Sequence, residues 1–447
     1  MTDQARRFKE VFPRPPQVYV LAFGAAMFPL LALFAPTQIA AALLILGTLA
    51  LILNPVTGFW PLKTQPYLLP LAVLLALGAL SGIWAVEGAE TWQRTGRLLS
   101  FLAAGILLLT HARELSRPDK RFICRALTVG FAVLAVLFVE ERLAGKWLLY
   151  RTRDIDAYDA YAVLNQPGVL LALLSWPVGG FLWSGGRRGA ALAVFLLTPL
   201  TMIGEAGKAG LAALVVGWLI FLPMLVMPRI TRLAACLGIV VAAVGLPLAA
   251  GSPAVFETAY GALGPTAYGE KHRLVMWRFA GDRIAERPVF GWGLDSARVI
   301  PGGDMKVVDF PDIKTSTFVS ESTREAMGES VVMQLHPHNA ILQVQMELGL
   351  FGLVALVTFL VLTIRAASET GPPVIRACRM AMLTGAITVA CISFGIWQSW
   401  WVASLFLLAA FGAALPGVPS RERQAREVPE NSVVNPPKDD DEAEATP

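Results

Sequence analysis

An all-α polytopic membrane protein, with about twelve transmembrane helices and one large, partly helical extracytoplasmic loop, is the fold class this sequence predicts. Three observations predict it. Of 447 residues, 55% are hydrophobic and only 16% charged, with mean hydropathy +0.58, whereas soluble chains carry about a quarter charged residues. Apolar runs long enough to cross a bilayer recur along most of the chain. Basic residues fall in alternate loops, as the positive-inside tendency requires.

Spans are expected at about 17–35, 37–53, 67–84, 97–111, 122–140, 161–183, 189–204, 209–227, 232–251, 338–364, 375–396 and 398–415. The first is not read as a cleaved signal peptide, because more spans follow and no convincing cleavage site separates them. Arg6, Arg7, Lys9 and Arg14, then Lys63, Arg113, Arg117, Lys120, Arg187, Arg229 and Arg365, fall on one side. That side is read as cytoplasmic, with both termini there and the opposite face extracytoplasmic. The expected division is helices one to nine in 1–251, an extracytoplasmic subdomain in 252–337, helices ten to twelve in 338–417, and a cytoplasmic tail in 418–447. The tail is Pro-rich and acidic, a composition that builds no core, and is expected to be disordered.

The segment 252–337 is the one stretch with room for a subdomain outside the membrane. Residues 271–287 read as a helix stopped by Pro288, with Arg273, Trp277, Ala280 and Ile284 along one face. Arg278, Asp282 and Glu286 form an i, i+4 ladder read as a solvated face. Pro288 to Gly293 reads as a turn, and 300–330 as loop with short helices.

Net charge of +4 is too small to argue for nucleic acid. Cys124, Cys236, Cys378 and Cys391 lie in or beside apolar runs and read as free, buried thiols rather than disulfides or zinc ligands. No P-loop or GxGxxG is present, so ATP hydrolysis has no support. Asp154-Ile-Asp156 has the DxD form of metal-dependent glycosyltransferases, but no further ligand accompanies it. No metal and no cofactor are expected.

The chemistry concentrates in residues 336–352. His336 and His338, two of four histidines, stand where the polar segment meets an apolar helix, a boundary at which an imidazole can touch water and still be held rigidly. The plainer reading is that His338 caps a helix. Lys208 stands alone between two apolar spans, where charge is costly and tends to be functional. Arg142, Lys146, Arg151 and Arg153 form a basic cluster on the expected extracytoplasmic side, which Glu140, Glu141, Asp154 and Asp156 could balance as a solvated loop. Trp397, Trp400 and Trp401 read as an interfacial aromatic belt. Glu347 reads as a buried partner or a residue orienting the site.

His338-Asn339-x-x-Leu342 followed by Glu347-x-Gly349-x-x-Gly352, Arg273-x-x-x-Trp277, Pro288-x-x-Gly291-x-Gly293 and Asn165-Gln-Pro167 together resemble the O-antigen ligase and polymerase superfamily. Its specific motifs occupy about 50 residues. One departure is Lys208, in Glu205-Ala-Gly207-Lys208, where many members carry arginine; lysine keeps the charge without the bidentate fork.

The resemblance implies a GT-C-like membrane enzyme that moves a polysaccharide from undecaprenyl pyrophosphate to a sugar of lipid A–core, by metal-independent inverting transfer. It implies His338 and Arg273 as catalytic residues. Lys208, Arg142, Arg151, Arg153, His336, Trp277 and Glu347 are expected at the substrates. The partners implied are the lipid-linked polysaccharide, lipid A–core and membrane lipids. A polymerase of the same superfamily is the alternative within the family. A lipid-linked glycan transporter is the alternative from another class, although it would be expected to show two similar halves and mid-membrane charges.

Overall fold

The computed structural model describes residues 13–57, 65–145, 147–152, 163–203, 207–264, 266–316 and 319–416. The described residues are α-helical with no strand, a lone bridge between Lys306 and Val331 aside. The chain is a multi-pass membrane protein.

In chain order the helices are α1 (Pro16–Phe34), α2 (Ile39–Thr57), α3 (Leu68–Ser81), α4 (Gly88–Glu114), α5 (Arg117–Leu143), α6 (Trp147–Thr152), α7 (Asn165–Ser184), α8 (Arg188–Thr201) and α9 (Lys208–Val226). Then come α10 (Pro228–Ala250), α11 (Pro253–Ala262), α12 (Tyr268–Glu286), α13 (Pro311–Lys314), α14 (Glu321–Met327), α15 (Ala340–Glu369), α16 (Pro373–Ile392) and α17 (Ser399–Ala413). Among the described residues nine are long and apolar enough to span a bilayer; α3, α8 and α17 are shorter apolar helices. Together these twelve stand at the twelve expected positions.

Local sequence sets the ends. Ser116 caps α5 by accepting the Asp119 amide, with Pro118 in the first turn where its missing N–H costs nothing. Small residues let the spans approach closely. A Cβ on Gly130 would lie 2.5 Å from the Ala26 carbonyl of α1, and one on Gly385 of α16 3.0 Å from the Ala213 carbonyl of α9.

Helices α11 to α14 enclose a second core outside the bundle, built on Phe256, Tyr260, Val275, Met276, Phe279 and Val332. Leu342 and Met346 of α15 belong to that same core. The subdomain is therefore welded to the first turns of α15. Two expectations need correction here. Arg278 is no solvated rung: it is 9% exposed and pairs with Asp282 of its own helix and Asp312 of α13 at 3.4 Å, clamping the subdomain. Trp397, Trp400 and Trp401 form no interfacial belt, being 5%, 7% and 0% exposed, because α17 is wedged among α2, α4 and α7.

Candidate functional site

Helix α15 begins where the subdomain meets the bundle. Asn339 is its N-cap; Oδ1 accepts from the amides of Ile341 and Leu342 at 3.1 and 3.2 Å. A cap residue is extended, so the chain must turn just before it. His338 makes that turn with φ 52°, a left-handed conformation rare outside glycine. Such strain persists when the surroundings over-determine it, and here three neighbours do.

One neighbour is α12. Trp277 donates its indole N–H to the Pro337 carbonyl at 2.7 Å. Another is the end of α16, where the Ser393 carbonyl hydrogen-bonds His338 Nδ1. The third is His336, whose Nδ1 accepts the His338 amide at 3.2 Å, with the two rings edge to face at 4.3 Å. His336 Nε2 meets the Gln398 side-chain amide at 3.1 Å. A neutral ring accepting at Nδ1 carries its proton on Nε2, so the amide orientation that satisfies both turns its oxygen to the ring.

The bond to Ser393 fixes chemistry as well as position. A carbonyl only accepts, so His338 Nδ1 carries hydrogen and Nε2 is left with its lone pair. The His338 hydrogen bonds among the described residues use its amide and Nδ1, not Nε2. Burial, with smaller contributions from the Arg273 and His272 charges, lowers the His338 pKa to about 4; the Ser393 bond opposes the shift. His336 falls to about 3, again through burial first, then His338 and Arg298. Both rings are neutral at pH 7. Asn165, first residue of α7, donates to Ser393 Oγ at 3.2 Å and so steadies the group that holds His338. Sequence reasoning missed Ser393 entirely; a main-chain carbonyl leaves no signal in residue type.

The second construction lies beneath. At Gly349 α15 breaks (φ 63°, ψ −158°), exposing carbonyls that a regular helix would occupy. Trp292 and Gly293 donate to those of Met346 and Glu347 at 3.0 and 2.8 Å, and Leu350 donates to Pro288 at 2.9 Å. A Cβ on Gly291 would lie 2.4 Å from the Glu347 carbonyl, and one on Gly349 2.1 Å from that of Val289. Only glycine fits either place. Glu347 is fully buried; its carboxylate accepts from the Asp295 amide at 2.7 Å, Gln343 at 3.1 Å and the Trp397 indole at 2.5 Å. Those bonds fasten the 293–297 loop and the α16–α17 turn to one helix, and they leave the carboxylate no solvent face.

The expected cations are distributed unevenly. Arg273 lies half-buried one turn from Trp277, with no hydrogen bond or ion pair among the described residues; burial lowers its pKa against the support of Glu270. Lys208 opens α9 but is not isolated: Glu270 of α12 pairs with it at 3.3 Å, both side chains remaining open to solvent. Arg142 is engaged structurally, donating to the Thr201 and Ile203 carbonyls that end α8, the latter at 2.5 Å. Glu141 is likewise no solvated counter-charge, being fully buried and accepting the Leu148 and Leu149 amides. Arg151 stacks over Trp147 at 4.4 Å. Arg153, Lys146 and the Asp154-Ile-Asp156 pair lie outside the described residues. Sequence reasoning also missed His272, which bonds the Val331 carbonyl at 2.8 Å and bears electrostatically on His338. No cluster of three metal-ligand side chains occurs among the described residues.

Residues 191–357 match the family model described as O-antigen ligase. That stretch holds Lys208, Arg273, Trp277, His336, His338 and Glu347. Three similar proteins share the name "Putative polysaccharide ligase". One from Rickettsia conorii (strain ATCC VR-613 / Malish 7) is 26% identical over 67% of this chain and 69% of its own. Another from Rickettsia felis (strain URRWXCal2) is 26% identical over 62% and 64%. A third from Rickettsia bellii (strain RML369-C) is 24% identical over 73% and 74%.

Proposed function

We propose that this chain, whose residues 191–357 match the O-antigen ligase family model, transfers a polysaccharide from undecaprenyl pyrophosphate to a sugar hydroxyl of lipid A–core at the periplasmic face. His338 is the base. The observation that carries this reading is the His338–Ser393 bond, which leaves Nε2 unprotonated.

The step balances without a cofactor. The acceptor hydroxyl gives its proton to Nε2 while its oxygen bonds to the anomeric carbon. The anomeric bond to phosphate breaks on the opposite side, inverting the centre, and undecaprenyl pyrophosphate leaves with the electron pair. Arg273 and Lys208 stabilise that developing charge. An empty-site pKa of about 4 makes His338 a weak base; the donor's pyrophosphate beside the ring raises it, since an anion favours imidazolium. The neutral resting ring spares a buried cation while the site is empty. Glu347 and Trp277 hold the frame, and His336 orients the His338 backbone.

The test uses purified protein in nanodiscs with lipid A–core, a polyprenyl-pyrophosphate glycan and EDTA, without nucleotide. The expected result is a glycan ladder on lipid A–core that is absent with His338→Ala while donor still binds. Longer donor chains with bare lipid A–core indicate a polymerase instead. Donor carried across the bilayer without transfer indicates a transporter.

A further inference from the structure

Helices α3, α4, α15, α16 and α17 do not close on one another. Between them runs a cavity of about 1040 Å³. Leu75, Leu98, Leu102, Leu360 and Leu405 are among its walls, and Ile396 and Trp397 lie at the end toward His338. The other end is ringed by Arg113, Arg117, Lys120, Arg365 and Arg379, with Glu369 the one carboxylate among the lining residues. These two ends are far apart, because α15 runs from Ala340 beside His338 to Glu369 at the basic ring.

We infer that this shaft is a second lipid site, in which an anionic phospholipid sets its phosphate among the basic residues opposite His338 and its acyl chains in the apolar shaft. The walls are mostly leucine, isoleucine, alanine and phenylalanine, a lining that makes dispersion contacts with hydrocarbon and offers water few hydrogen bonds. Acyl chains supply that hydrocarbon. The positive-inside tendency accounts for bases in these loops, but not for their gathering at the mouth of an open shaft.

The ring is partly committed and partly open. Arg379 donates to the Gly412 and Thr370 carbonyls at 2.8 and 2.9 Å, Arg113 stacks on Tyr67 at 5.5 Å, and Lys120 donates to the Arg113 carbonyl at 2.7 Å. Arg117 and Arg365 are exposed; Arg117 has no ion pair among the described residues, and Arg365 meets Glu369 only at 3.8 Å. Those two are suited to a phosphate. Chains reaching the far end would touch Trp397, whose indole holds Glu347. Lipid occupancy thereby bears on the frame beneath His338.

The experiment is native mass spectrometry of the full chain in detergent, titrated with phosphatidylglycerol or phosphatidylcholine of identical chains. Wild type is expected to retain phosphatidylglycerol at least tenfold better. Arg117→Glu with Arg365→Glu is expected to bring it to the phosphatidylcholine level. Ala409→Phe, which fills the shaft, is expected to lower retention of both lipids. Equal retention of the two lipids by wild type overturns the inference, as does undiminished phosphatidylglycerol on the charge-reversed protein. Displacement by polyprenyl pyrophosphate that the reversed protein retains equally assigns the shaft to the donor's tail and also overturns it. None of these readings depends on glycosyl transfer, so failure here and failure of the ligase reading are separable.

Discussion

Gly293 donates its amide hydrogen to the carbonyl of Glu347 at 2.8 Å, joining the turn after α12 to the broken third turn of α15. Two motifs more than fifty residues apart are thus one piece of architecture. The break at Gly349 frees the carbonyls, and the glycines of the 288–293 turn let the other backbone reach them. His338 stands at the head of the same helix, so whatever holds α15 to the subdomain also holds the candidate base.

His338→Asn separates chemistry from conformation. Asparagine tolerates a positive φ but offers no basic nitrogen. Transfer to lipid A–core is expected to fall about 10²- to 10⁴-fold, with the thermal midpoint in detergent nearly unchanged. A loss of folding matching the loss of activity would count against His338 as base.

The pH dependence has a definite sign. His336 and His338 titrate near 3 and 4 in the folded chain, below about 6.5 in the unfolded one. The unfolded state therefore binds more protons between these values, and stability rises with pH across that window. The thermal midpoint is expected to fall as pH drops from about 6.5 toward about 4, and less steeply in His336→Gln. On the same grounds, kcat/KM should hold level from pH 8 to 6 and decline only below.

Removing the amide of Asn165 leaves Ser393 Oγ without its donor and loosens the carbonyl that fixes the His338 tautomer. Asn165→Ala is expected to lower kcat roughly tenfold, on the order of 1.4 kcal/mol, with donor KM little changed. A change confined to KM would place Asn165 at the donor instead.

Glu347→Gln puts an NH₂ group either where Oε2 accepts from Asp295 and Trp397 or where Oε1 accepts from Gln343 and Ala297, and in either place it faces an N–H donor. A buried donor left unsatisfied costs about 1–3 kcal/mol. Lower thermal stability, with residual activity per folded molecule, is expected from unfolding curves and transfer assays on the same preparations.

Arg273 tests the proposed leaving-group half of the site. Arg273→Gln is expected to reduce kcat/KM about 10²-fold, in line with losing one preorganised donor to a developing anion. Arg273→Lys should recover part of it, through the charge without the fork. Equal defects in both variants would indicate that shape, not charge, matters there.

The sequence by itself determined that the chain is a helical, multi-pass membrane protein, because hydropathy and span length are properties of contiguous residues. It also drew attention to Asn165, Arg273, Trp277, Gly349 and His338, whose types and local spacing are visible in one dimension. Only the tertiary structure decided what each touches. Trp397 to Trp401 look like a membrane belt in sequence and are core, since burial depends on neighbours from other helices. Arg142 and Glu141 look like free charges and are tied to the ends of α8 and α6. Ser393 was invisible because its contribution to His338 is a carbonyl that every residue possesses; only its placement beside an imidazole makes it informative.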